Sequence, residues 1–175
     1  MLKAERFAVE VFQIECGAYS DYVPQNRWEV LALARHNGLP TRVLDWSLNA
    51  LVALYFAVEE RFHGDSVVYA YHAEESSLYL REQAEIDPLE IDQVYVYFPP
   101  HQISRWITSQ TAALTVHPEP WKPFASDNLT QIRVPSNSRE DIRKTLFAYG
   151  FHKKSIYPGL LGLCAWIKRL KFGDD

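Results

Sequence analysis

The sequence predicts an α+β fold: one compact domain over residues 1–175, with a small mixed or antiparallel sheet around a buried central helix. Three observations carry this. Helical and strand-like patterns follow one another in mixed order, with neither strict βαβ alternation nor separate runs of one type. The segment Ala50–Val58 is apolar on nearly its whole circumference, as in a helix that is covered on all sides. No internal repeat and no Gly-, Pro- or Ser-rich linker divides the 175 residues, a length that fits one domain.

The elements read as follows. Phe7, Val11 and Ile14 give helical spacing over Glu5–Ile14, which ends near Gly17. Asn26 with Glu29 makes a capping box that opens a helix running to about Arg35. Gly38 stands where a helix end favours a left-handed residue. Pro40 pushes Leu39 toward extended geometry, and a short strand follows over Thr41–Leu44. The next helix spans about Leu48–Arg61. Val67–Tyr71, Val94–Phe98, Ala113–His117 and Leu129–Val134 read as strands, being rich in β-branched and aromatic residues. A short helix is expected over Ile103–Gln110. Ser138 with Asp141 caps a helix to about Tyr149 that Gly150 ends, and Leu160–Leu170 forms the last helix.

Composition narrows the function. Hydrophobic residues make up 47% and aromatics 14%, too many for a disordered chain. The net charge of −4 leaves no electrostatic footprint for nucleic acid, so none is expected as a partner. A local basic cluster, Lys153, Lys154, Lys168, Arg169 and Lys171, reads first as a solvated face, with phosphate or RNA contact as the sharper alternative. Cys16 and Cys164 are far apart and flanked by apolar residues, so both read as buried thiols of a cytoplasmic protein. The apolar run is half a membrane span, and no membrane association is expected. The six histidines show no paired ligand spacing, so no metal is expected.

One stretch stands apart. Residues 35–47 read Arg-His-Asn-Gly-Leu-Pro-Thr-Arg-Val-Leu-Asp-Trp-Ser, and Ala53–Ala57 reads Ala-Leu-Tyr-Phe-Ala. This resembles the signature of the FRG domain, a mostly bacterial intracellular module. Gln110 and Thr115 echo a second family pattern in which Ala112 and Leu114 replace its Gly and Phe. Leu146–Leu163, with its Tyr-Pro-Gly-Leu-Leu-Gly run, echoes the family's closing helices. Two departures stand beside these matches. Arg35 replaces the usual Gln, and the Phe-Arg-Gly tripeptide that names the family is absent, with no Arg-Gly pair in the chain. The resemblance implies an ADP-ribosyltransferase-like layout, NAD as substrate or ligand, and a place in a bacterial defence or toxin-type system.

The residues have a chemistry of their own. A charge in an apolar stretch is costly unless paired. Arg42 either grips a phosphate or carboxylate with its planar fork, or anchors backbone and a buried acid. Asp45 and Ser47 each suit capping of the following helix or contact with a ligand. Thr41 divides between ligand and local backbone, Trp46 between core packing and stacking on a base. His36, at a helix end, suits a backbone bond or a pocket. If the chain is a transferase, Gln110 is the ribose partner beside Arg42 as catalytic cation, with His36, Thr41, Asp45, Trp46 and Ser47 as ligand contacts. Glutamine brings no charge to an oxocarbenium-like centre, and the missing Arg-Gly pair removes a pyrophosphate cation. The expectation is therefore a nucleotide-binding domain with weak or no transfer. The alternative is a non-catalytic sensor or protein-interaction module.

Overall fold

The computed structural model describes residues 2–60, 63–73 and 85–173. The fold is mixed α+β with small antiparallel sheets, and the described residues form no closed barrel. The chain forms two compact units from interleaved segments, which is why no linker marks a boundary in the sequence. The first comprises Met1–Trp46, Ala73–Thr108 and Ala112–Phe124; the second comprises Ser47–His72, Ser109–Thr111 and Ala125–Asp175.

In the first unit, α1 (Leu2–Glu15) and α2 (Arg27–His36) pack together. Asn26 caps α2 by accepting the Glu29 N–H at 3.0 Å, as the capping box predicts. The Glu29 carboxylate turns back to accept the Gln25 N–H and the Tyr22 hydroxyl, both at 2.7 Å. Burial and then that carboxylate raise the Tyr22 pKa to about 12. Gly38, at φ +86°, ends the helix in the left-handed conformation that a residue with a Cβ avoids.

The covered helix of the structure is α2, whose residues Trp28–Ala34 are all buried. They pack with Val9, Tyr95, Tyr97, Ile107 and Leu114 in one core. Burial was expected instead of the later apolar helix, α3 (Ala50–Glu59), which buries only the stripe Val52, Tyr55 and Val58. Leu51 and Phe56 of α3 face solvent. An apolar circumference shows what a helix can cover, not what its neighbours supply. The expected end of α3 at Arg61 lies outside the described residues.

A similar inversion occurs in α1. The expected stripe Phe7, Val11 and Ile14 is exposed, and the buried stripe is Glu5 and Val9, with Cys16 just beyond the helix. An acid outranks three hydrophobes here because it has a buried partner, described below.

Strands β1 (Val43–Ser47), β3 (Tyr95–Tyr97) and β4 (Ala112–Val116) form a sheet in the order β1-β4-β3. β3 and β4 are antiparallel, with Val96 opposite Thr115. β1 begins two residues later than expected, since Thr41 and Arg42 precede it. The His117 N–H donates to the Arg42 carbonyl at 3.0 Å and the Leu48 N–H to the Thr111 carbonyl at 2.9 Å. One partner number rises as the other falls, so β1 and β4 also run antiparallel. The short helix α4 (Arg105–Gln110) leads into β4 through Thr111, at φ +49°. That conformation is costly for a β-branched residue.

In the second unit, β2 (Ser66–Tyr71) pairs antiparallel with β5 (Leu129–Val134). α5 (Arg139–Ala148) packs on α3, and Val52, Tyr55, Val58, Val134, Leu146 and Ile156 form the core. Ser138 makes no side-chain cap on α5; a 3-10 turn over Ser136–Ser138 leads into the helix instead. The short helix α6 (Lys153–Ile156) was not foreseen, although His152 and Ser155 form a reciprocal capping box for it. α7 (Leu160–Phe172) closes the chain. Its Gly162 meets α6 so closely that an added Cβ would lie 1.9 Å from the Tyr157 carbonyl oxygen. Cys16 is buried as expected, but Cys164 on α7 is exposed.

Candidate functional site

Arg42 lies just before β1, with only 4% of its surface exposed, and Glu5 of α1 is 8% exposed. The guanidinium grips the Glu5 carboxylate through Nη2 at 2.8 Å and Nε at 3.2 Å from each oxygen. The Arg42 backbone N–H donates to the same carboxylate at 2.7 Å. Of the two roles open to Arg42, the geometry displays the anchoring of a buried acid. The fork that would suit a phosphate is filled.

Asp45 does not cap α3. Its Oδ2 accepts Arg35 Nε at 2.7 Å, in a half-exposed pair. The cap is Asn49, whose Oδ1 accepts the Leu51 N–H at 2.9 Å. Ser47 supports that turn by accepting the Asn49 N–H at 3.1 Å. Its hydroxyl also lies 2.7 Å from the Gln110 carbonyl oxygen, bringing two expected site residues together within the second unit. The Gln110 side-chain amide donates to the Ile156 carbonyl at 3.4 Å, where Ser109 Oγ donates at 3.0 Å.

Trp46 takes part in a polar chain in the first unit. Its indole N–H donates to Thr115 Oγ1 at 2.9 Å, and Thr115 Oγ1 lies 2.8 Å from His117 Nε2. Phe124 meets both rings edge-on, with centroids 6.0 Å from Trp46 and 5.0 Å from His117. Burial lowers the His117 pKa.

His36 and Thr41 stand apart from this pattern. Their Nε2 and Oγ1 atoms are buried with no hydrogen-bond partner, a state shared among the described residues only with the Tyr97 hydroxyl. Burial lowers the His36 pKa; Asp45 opposes this and Arg35 adds to it.

The second unit holds a cavity of about 440 Å³ lined by Phe56, Ala57, Glu59, Glu60, Ser66, Arg139 and Tyr157. None of the expected site residues lines it. Its polar groups serve one another: Glu59 accepts from Tyr157 at 2.6 Å, from Tyr55 at 3.3 Å and from Lys153. Burial and then Glu59 raise the pKa of both tyrosines, though for Tyr157 the hydrogen bond to Glu59 and for Tyr55 its charge comes second. Arg139 donates to the Ala57 and Glu60 carbonyls and to Ser66, closing the C-terminal end of α3. Among the described residues no cluster of three or more His, Cys, Asp or Glu has metal-site geometry. No helix there is long and apolar enough to cross a membrane.

Sequence reasoning missed Glu5, Thr115's link to Trp46, His117 and the Glu59 cluster. Only Glu5 carried a signal. It sits four residues before Val9 and seven before Phe12, an acid on an otherwise apolar helical row.

The arrangement defines a small α+β module in which the polar residues of the 35–47 stretch fasten one strand to its neighbours. The family model of the FRG domain matches residues 2–66, so this stretch of the chain is similar to the FRG domain. The match takes in α1, α2, β1 and α3 and stops before Gln110 and the closing helices. No curated protein and no solved structure matches the chain.

Proposed function

We propose that this chain is an FRG-type, non-catalytic interaction or sensor module. The carrying observation is the filled fork of Arg42: a cation needed for pyrophosphate is buried against Glu5. Gln110 spends its amide on the Ile156 carbonyl, and Ser47, Asp45 and Trp46 are each bonded to neighbours in the fold. Electrostatic stabilisation is usually the largest catalytic contribution, and these residues offer it no available charge beyond the Arg35–Asp45 pair. An interaction role in a bacterial defence or toxin-type system inside the cell is suggested by the FRG resemblance and not by this geometry.

A second reading, a weak NAD or other nucleotide site of ADP-ribosyltransferase ancestry, is favoured by one observation. His36 and Thr41 present buried polar atoms without partners, in the motif itself, and such atoms are normally satisfied. Titration calorimetry with NAD beside a nicotinamide-release assay separates the two. The first reading expects no release, and steady turnover of NAD would overturn it. Binding heat that is lost in His36→Ala and Thr41→Val, without release, would establish the second.

A further inference from the structure

We infer that the outer edge of β2 pairs antiparallel with the same edge of a second copy of this chain, joining two ribbons into one sheet of order β5-β2-β2-β5. This goes beyond the interaction reading and stands apart from it. Backbone geometry calls for an extended neighbour. The His72 N–H donates to the Asn128 carbonyl, and these two residues continue the register in which Ser66 faces Val134. Hydrogen-bonded pairs alternate along an antiparallel ladder. The ladder between β2 and β5 therefore uses Ser66, Val68 and Ala70, and it turns the N–H and C=O groups of Val67 and Tyr69 outward. Among the described residues the sheet has two strands, and no backbone group bonds to Val67 or Tyr69 on the open side. The two residues are 41% and 47% exposed.

The side chains select the strand that fits. Exposed edges are normally guarded by charge, proline or a bulge. On β5 the outward positions are Gln131 and Arg133, and the arginine, paired with Asp65, is such a guard. The β2 run Ser-Val-Val-Tyr-Ala-Tyr holds no charge, proline or glycine. Such an edge gives an acidic or basic peptide nothing to pair with, yet it accepts its own copy without opposing like charges. Two-fold symmetry with its axis at Val68 sets Val67 of each copy opposite Tyr69 of the other. Each of these pairs then exchanges both N–H···O=C bonds. Each is also aromatic against β-branched, a cross-strand combination that stabilises sheets. The same symmetry closes the assembly at two copies, whereas β2 laid on the β5 edge of a neighbour would repeat without end. The contact is small, so the dimer is reversible and concentration-dependent.

The test uses the full chain, with sedimentation equilibrium and residue-resolved amide hydrogen exchange over a concentration series up to about 1 mM. The mass should rise from that of one chain toward that of two and stop there. The Val67 and Tyr69 amides should exchange fast in the monomer and slow down as the dimer forms, while Val68 and Ala70 stay protected throughout. Tyr69→Lys should weaken dimerisation about tenfold or more, because it occurs twice in the interface and sets an ammonium against Val67. Adding Val67→Glu to it should restore most of the affinity, since each new carboxylate then faces a new ammonium across the axis. Both positions are exposed, so the variants should keep the parent's circular dichroism spectrum and melting point, and the exchange measurement needs no variant. A chain that stays monomeric at the highest concentration would overturn the proposal, as would a dimer that leaves the Val67 and Tyr69 amides unprotected. So would mass that grows past two copies, Tyr69→Lys that dimerises normally, or a double variant no better than Tyr69→Lys. NAD binding and turnover play no part in these readouts, so this interface and the functional reading fail separately.

Discussion

Glu5 and Arg42, 37 residues apart in sequence, form a buried ion pair that fixes α1 against the start of β1. The Glu5 carboxylate also accepts the Arg42 backbone N–H, so side-chain and main-chain positions are set together. This is why α1 turns its acidic row inward and leaves Phe7, Val11 and Ile14 outside.

Breaking that pair should be severe. Glu5→Ala leaves a guanidinium buried without its carboxylate, a change that costs roughly 3–5 kcal/mol. Arg42→Lys should also destabilise strongly, because an ammonium cannot span both carboxylate oxygens. Asp45→Asn should cost under about 1 kcal/mol, since its pair with Arg35 is half-exposed. Urea unfolding of the three variants checks the order. Asp45→Asn proving the most damaging would show that the buried pair is not the anchor.

The contrast between Arg42 and α3 shows what the sequence revealed and what it withheld. Capping boxes, glycine stops and β-branched runs act over a few residues, so α2, Gly38 and β5 were legible. Arg42 announced that it needed a partner, but its partner lay in a helix whose apolar row pointed elsewhere. Helix α3 announced an apolar surface, yet which part is covered depends on Val134, Leu146 and Ile156, distant in sequence. The expected site residues other than Gln110 fall on one stretch, residues 36–47. Their hydrogen bonds to Thr115, Gln110 and Glu5 depend on tertiary placement, which local pattern does not encode.

Helix α3 gives a position-resolved test. Val58 is fully buried, so Val58→Asp should prevent soluble folding, because an unpaired buried carboxylate costs several kcal/mol, a large part of a domain's stability. Leu51→Asp, on the exposed side, should express and melt close to the parent chain. A helix covered on all sides would make both variants insoluble, and parallel expression with thermal melts distinguishes the cases.

Gly162 should tolerate no side chain. The nearest atoms to an added Cβ are backbone oxygens of Tyr157 and Lys153, at 1.9 Å and 2.7 Å, which cannot swing aside. Gly162→Ala should therefore separate α6 from α7 and cost about 1–3 kcal/mol or more as overpacking strain, despite alanine's better helix propensity. A neutral or stabilising result in urea unfolding would show that the two helices pack more loosely.

Acid should weaken the first unit through its histidines. Burial lowers the pKa of His117, and of His36 with further shifts from Asp45 and Arg35, below the ordinary 6.5. The unfolded chain then binds more protons than the folded one over a window that opens at about 6.5 and extends down to the folded values. Stability from these groups is complete above that window and falls as pH drops through it. The hydrogen bonds agree for His117: Trp46 donates to Thr115, leaving the Thr115 hydroxyl proton free for an unprotonated His117 Nε2. His117→Gln removes the titrating group while keeping polar atoms near Thr115. The urea midpoint should fall between about pH 7.5 and about pH 5.5 for the parent chain, and by less for this variant. Equal pH dependence in the two proteins would show that His117 is not among the groups that sense acid.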